Sequence, residues 1–156
     1  MSKMLNIDNV PNEFVDDPQF ASSMKTLYLG AAAGSQRIYV NVDYVKPGAK
    51  SVKYHSHSRQ EEFFLILSGR GVLRMNEEEI PVKKGDFMAK PAGKDIAHQF
   101  INNGSEVLKI LDCGLNERDE TVTYPDEGVI LLKKQRLAFK ISDALKDWSS
   151  DPNQPG

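Results

Sequence analysis

The chain has 156 residues, enough for one ordinary domain with a real core. Hydrophobic residues make up 40% and charged residues 27%, the balance of a soluble globular protein. A formal net charge of −2 gives no electrostatic footing on nucleic acid, and the longest apolar run, residues 63–67, is far short of a membrane span. Neither nucleic acid nor membrane is therefore expected as a partner. The opening stretch MSKMLNIDNVPNEF has no apolar signal core, and none precedes Ala31-Ala32-Ala33. Cys113 is the only cysteine, so no internal disulfide is possible and a cytoplasmic setting is expected. After Ile110 and Leu111 it reads as a small buried hydrophobe.

Residues 1–22 show neither helical nor strand periodicity, and Pro11, Pro18 and the acids Asp8, Glu13, Asp16 and Asp17 predict an extended arm. From Lys25 the β signals begin, with a short run through Thr26 and Tyr28 that ends at Gly30. Residues 36–45 alternate, Ile38, Val40 and Val42 against Tyr39, Asn41 and Asp43, and Pro47-Gly48 turns the chain. Strands are then expected at 51–57, 62–68, 71–75, 79–83, 86–90, 96–102 and 106–113. Asn102-Asn103-Gly104 carries the left-handed preference of a tight hairpin. Residues 116–127 read as a polar segment with an ordered turn at Tyr124-Pro125-Asp126. A hairpin follows over 129–132 and 137–141. Ser142 is placed to cap a short helix bearing Leu145 and Trp148 on one face, ahead of a disordered tail. The expected layout is an arm over 1–22, one all-β barrel or sandwich over 23–141, and a short helix with a flexible tail over 142–156.

All three histidines fall in two places, His55 and His57 in one and His98 in the other. Residues two apart on a strand project the same way, with β-carbons about 6–7 Å apart. Two imidazoles so placed can meet one ion at N–metal distances near 2.1 Å. Glu62 opens the next β-run and reaches the same point if that strand pairs with the first. His98 opens a later strand and would close the set. Three imidazoles and a carboxylate suit one divalent first-row transition metal ion, with Fe, Mn, Ni, Zn, Co and Cu not distinguished, and leave coordination positions open. The residues alone leave a second reading open: surface histidines beside a solvated Glu61-Glu62 pair, with His98 in the core.

The first stretch resembles cupin motif 1: Gly48, six residues, His55-Ser56-His57, four residues, Glu62, six residues, Gly69. The second resembles cupin motif 2: Gly85, five residues, Pro91-Ala92-Gly93, four residues, His98, three residues, Asn102. The first spacer is one residue longer than usual and the gap before His98 two longer, an even insertion that keeps strand parity. The resemblance spans about residues 36–113 and extends to the small single-domain conserved-barrel cupins. It implies a double-stranded β-helix (jelly-roll barrel), with His55, His57, Glu62 and His98 as metal ligands. The six-residue spacing to Gly69 selects Glu62 over Glu61. Gly69, Gly85, Pro91, Gly93 and Asn102 take turn positions. Phe64 and Phe100 share faces with Glu62 and His98, which makes them candidate pocket lining, with barrel core as the competing role. Phe63, Leu65 and Leu67 face outward toward another sheet or a second subunit, in keeping with the homodimers common in the family.

In function the resemblance implies a metal-dependent enzyme, of dioxygenase or isomerase type, on a small polar molecule. The alternative is a non-catalytic module that binds a sugar, carboxylate or hormone-like ligand. A third is a structural barrel without a metal. With every histidine used, a general base would have to be a carboxylate, tyrosine or lysine, or the metal itself would run the chemistry.

Overall fold

Short runs of β-branched and aromatic residues, closed by glycine, proline or asparagine, set the strands of this chain. The computed structural model describes residues 4–153, so the outermost three residues of the expected arm and of the expected tail lie outside the described residues. Its strands are β1 (Val15–Asp17), β2 (Ser22–Tyr28), β3 (Ile38–Val45), β4 (Ser56–His57), β5 (Glu62–Ser68), β6 (Arg70–Met75) and β7 (Glu78–Lys83). They continue as β8 (Phe87–Lys90), β9 (His98–Ile101), β10 (Leu108–Leu115), β11 (Thr121–Tyr124), β12 (Val129–Leu132) and β13 (Leu137–Lys140). A six-stranded sheet runs β1-β2-β3-β10-β5-β8, a three-stranded one β7-β6-β9, and a four-stranded one β13-β12-β11-β4. A bridge between His55 and His98 stitches the two smaller sheets into one wall.

The two walls close on one core. Val45, Phe64, Ile66, Leu108 and Ile110 come from the large sheet, and Leu73 and Phe100 from the facing one. Each such side chain, fully buried, contributes about 1.5–3 kcal/mol. This is the all-β barrel that the motifs implied.

Local outcomes differ from the sequence reading in five places. The expected strand over 51–57 survives as β4 alone. Residues 50–55 run beside β9, bridging Lys50 to Ile101 and His55 to His98, so six residues span four. The surplus bulges outward, tied by Gln99 Nε2 donating to Val52 O at 2.9 Å, and the bulge aims His55 inward. The second difference is at Asn102, which starts no hairpin. It stands where the chain crosses from β9 to β10, in different sheets, and is fully buried. Its Nδ2 donates to Val45 O and Glu106 O, both at 2.8 Å, and its Oδ1 accepts from Gly104 N at 2.9 Å. The tight two-residue turn is instead Asn76-Glu77 between β6 and β7, with φ of 48° and 67°.

Third, the polar segment over 116–127 contains β11, which pairs with β4 and β12. Fourth, the short C-terminal helix is a single 3-10 turn, Ile141–Asp143, with Ser142 inside it rather than capping it. Leu145 and Trp148 are 78% and 77% exposed, so no apolar surface receives a helix there. Fifth, where the β run was expected to end at Gly30, Leu29–Ala32 forms one helical turn.

Candidate metal centre

His55 and His98 are locked side by side by backbone bonds, His55 N donating to His98 O at 3.2 Å and His98 N to His55 O at 2.9 Å. His57, two residues on, turns its Nε2 to within 3.1 Å of His55 Nε2. Glu62 arrives from the opposite wall: β5 pairs with β10 and β8, and β4 pairs with β11. The pairing of the Glu62 strand with the histidine strand, the condition named from sequence for Glu62 to reach that point, therefore does not occur. Glu62 reaches the same point across the barrel. Gly114, its register partner on β10, makes this possible, because a Cβ there would collide with Glu61 O and come within 3.0 Å of the Tyr39 ring.

The donor atoms of His55, Glu62 and His98 lie within 4.8 Å of one another and could together hold a metal ion. His57 stands beside that trio, with Nε2 3.3 Å from Glu62 Oε1. His98 Nδ1 is 3.8 Å from Glu62 Oε2. Phe64 and Phe100 pack behind the site. The Phe64 ring centroid is 4.9 Å from that of His98, and both phenylalanines line an apolar cavity of about 500 Å³ on the far side. The histidines open instead onto a cavity of about 440 Å³, whose wall sets the polar side chains of Tyr39, Gln60, Asp112 and Lys133 beside the apolar Ile38 and Val52.

Hydrogen bonds fix the histidine tautomers. His55 Nδ1 is 2.7 Å from Lys53 O, a group that only accepts, so that nitrogen carries the hydrogen. His57 Nδ1 likewise donates to Glu120 Oε1 at 2.9 Å. In the neutral rings, both Nε2 atoms then present lone pairs to each other. Two nitrogens bound about 2.1 Å from one ion at a right angle stand ~3 Å apart, the separation found here. Burial pulls the His55 pKa down to about 4, and burial pulls His98 well down too, so both are neutral imidazoles at physiological pH. For His57, burial pulls down but the hydrogen bonds to Glu120 and Glu62 outweigh it, and the net shift is upward. Glu62 is pushed up by burial and pulled further down by His57, His98 and Lys90, so it is a carboxylate. His98 Nδ1 is buried without a hydrogen-bond partner, the kind of orphan atom a bound cation satisfies, and Glu62 Oε2 is buried without a hydrogen-bond donor. Lys90 Nζ, 2.9 Å from that Oε2, makes a charge contact rather than a hydrogen bond. The donor set fits a divalent transition metal.

Several side chains that serve the site went unread in the sequence. Glu120 orients His57 and accepts from Lys133 Nζ at 2.9 Å. It stands one residue ahead of the unread strand β11, whose Thr-Val-Thr-Tyr run was a usable β signal. Tyr39 OH lies 3.1 Å from Glu62 Oε1 and 2.7 Å from Asp112 Oδ1. One phenolic hydrogen cannot serve both. Burial and the neighbouring Asp43 push Asp112 up to about 8, so Asp112 carries the hydrogen of the second bond at neutral pH. Tyr39, Asp43 and Asp112 have no motif signal beyond sharing the inner face of paired strands.

Comparison with known proteins places these residues in context. The family model described as Cupin domain matches residues 41–114. A solved structure from Acidithiobacillus ferrooxidans, provisionally named a sugar phosphate isomerase, has 27% sequence identity and a TM-score of 0.82, covering 91% of this chain and 94% of that one. A sugar phosphate isomerase structure from Silicibacter pomeroyi has 27% identity and a TM-score of 0.78, covering 99% of this chain and 100% of that one. An oxalate-binding protein of Thermotoga maritima is 34% identical over 65 residues, 42% of this chain and 52% of that protein. The chain spans about half the length of the curated relatives it matches.

Proposed function

We propose that this chain, a small member of the cupin superfamily, binds one divalent transition metal through His55, His57, Glu62 and His98 and acts as an isomerase on a sugar phosphate or similar small polyhydroxylated molecule. The observation that carries the metal is the approach of the His55 and His57 Nε2 atoms to 3.1 Å, with each Nδ1 held by an acceptor oxygen. The isomerase reading is supported by the likeness, over nearly the whole chain, to two structures bearing that name. The cavity wall agrees with it. Hydroxyl and amide groups of Ser35, Tyr39, Asn41, Gln60 and Asn116 suit a ligand with many hydroxyls.

When bound, the metal would supply a Lewis acid for a substrate oxygen. The chain's own residues do the rest. Asn41, Gln60 and Asn116 orient hydroxyls, while Phe64 and Phe100 keep water from the back of the site. Asp112, holding a proton beside Tyr39, is the group on the wall able to give or take one. The test is elemental analysis of purified protein, followed by NMR of aldose and ketose phosphates with the metal-loaded protein in deuterated water. Interconversion with deuterium incorporation is expected.

A second reading has its own support. The Thermotoga maritima relative is named for binding oxalate, a small chelating dicarboxylate. Tight oxalate binding by the metal-loaded protein, without turnover of any sugar phosphate, would favour a binding module over an isomerase.

A further inference from the structure

Glu62 and Lys90 are register partners on β5 and β8, and Lys90 lies outside the proposed ligand set. Lys90 is 1% exposed and Glu62 4%. Lys90 Nζ sits 2.9 Å from Glu62 Oε2 and donates to Ile96 O at 3.4 Å. A buried ammonium beside a metal ligand looks misplaced, because it repels the incoming ion. The two oxygens of Glu62 resolve the difficulty. Oε2 is turned to Lys90. Oε1 is turned the other way, to His57 Nε2 at 3.3 Å, Tyr39 OH at 3.1 Å and Gln60 Nε2 at 3.3 Å. Lys90 does not line the cavity onto which the histidines open; it stands behind Glu62 and meets no ligand held there.

We propose that Lys90 is a positioning residue: a permanent counter-ion that balances and orients Glu62 in the metal-free barrel and leaves Oε1 alone to the metal. The proposal rests on the metal reading above. Three consequences follow from the geometry. The barrel folds before any ion arrives, since the buried carboxylate already has a partner. Glu62 is confined to one oxygen, which keeps coordination positions free for a chelating substrate. The site also carries one more positive charge than its ligands imply, which strengthens its pull on a substrate oxygen.

The test compares the full chain with Lys90→Met, which keeps the length of the side chain and removes its charge. Each is melted metal-stripped and loaded with Co²⁺, and the visible spectrum of the Co²⁺ form is recorded. The wild type should melt cooperatively without metal and gain a few degrees with it. Metal-stripped Lys90→Met should fall by on the order of 10 °C, and Co²⁺ should recover most of the loss. The metal-induced rise in Tm is then larger in the variant, and the Co²⁺ spectrum changes as Oε2 becomes free to bind. If the variant loses stability equally with and without metal and its spectrum is unchanged, Lys90 merely fills space and the proposal is overturned. Should the variant fold in neither state, Glu62→Gln/Lys90→Met decides: recovery of the fold supports the counter-ion role, and no recovery refutes it. A wild type whose Tm ignores the ion refutes the metal reading itself, and the role of Lys90 falls with it.

Discussion

Replacing Glu120 by glutamine probes how the candidate site is held. The Glu120 side chain has no exposed surface. Its Oε1 accepts from His57 Nδ1 and Lys133 Nζ, each at 2.9 Å, and its Oε2 accepts from Gln60 N at 3.1 Å. Glutamine keeps the shape but offers one acceptor oxygen where two are needed. Whichever way its amide turns, an N–H faces either His57 N–H or Gln60 N–H. An unmatched buried donor costs about 1–3 kcal/mol, at roughly 2–4 °C of Tm per kcal/mol for a chain of this size. Loosening a ring that binds metal costs roughly 10–100-fold in affinity, which is ~1.4–2.7 kcal/mol. Competition with a chromophoric chelator reads the affinity and thermal unfolding reads the stability. A pH series adds a third measure. Burial pushes the Glu120 pKa up, but the bonds from His57 and Lys133 outweigh it and hold it below the ordinary 4.5. Its stabilisation is therefore present above that value and lost as pH falls through the folded one, and Glu120→Gln should lack this part of the acid limb. A folded Glu120→Gln protein whose metal affinity stays within about twofold of wild type, against the 10–100-fold expected for an orienting partner, refutes the role given to Glu120.

Other expected outcomes are as direct. His57→Ala should abolish stoichiometric metal by elemental analysis while the far-UV spectrum stays that of a β protein; retained metal would remove His57 from the ligand set. In metal-free protein, Asp112 is raised from 3.8 to about 8, so the native state holds a proton that the unfolded chain has lost, and stability falls as pH rises from 3.8 to 8. Over the last stretch, from about pH 6.5 to 8, that amounts to ~2 kcal/mol. Chemical denaturation across this window should show the decline in wild type and a flatter profile in Asp112→Asn. Asn102→Ala removes three bonds from a fully buried crossover and should cost about 2–4 kcal/mol in the same assay; a loss below 0.5 kcal/mol, less than one such bond typically contributes, would mean that water replaces the amide.

What could be read from the sequence was whatever a local rule controls. Strand β5, Glu62–Ser68, appears with the limits its β-prone run gave, because it pairs on both edges, with β10 and with β8. His98 opens β9 as expected, since the even insertion ahead of it preserves parity. The 51–57 run failed for a physical reason: a bulge depends on how many residues the partner strand supplies, and β9 is far away in the chain. Asn102 misled because Asn-Gly describes a local backbone preference, whereas the amide there is spent joining two sheets.

The same division runs through the candidate site. Histidine spacing and a glutamate before a β-run are one-dimensional signals, and the four side chains they singled out stand close together, the donor atoms of His55, Glu62 and His98 within 4.8 Å and His57 Nε2 3.3 Å from Glu62 Oε1. The groups that give those side chains their charge and direction are related only by register across strands. Glu62 meets Lys90 through β8 and Tyr39 through the close approach at Gly114, and His57 meets Glu120 through β11. None of these partners has a fixed sequence separation from its ligand, so no spacing rule could find them. They set the charges and proton positions around the candidate site in this barrel. Lys90 sets the charge on Glu62, Glu120 the tautomer of His57, and Asp112 the proton beside Tyr39. Differences in substrate among chains that share the motif should accordingly lie at such register-related positions, and substitutions there should change what the barrel does before they change whether it folds.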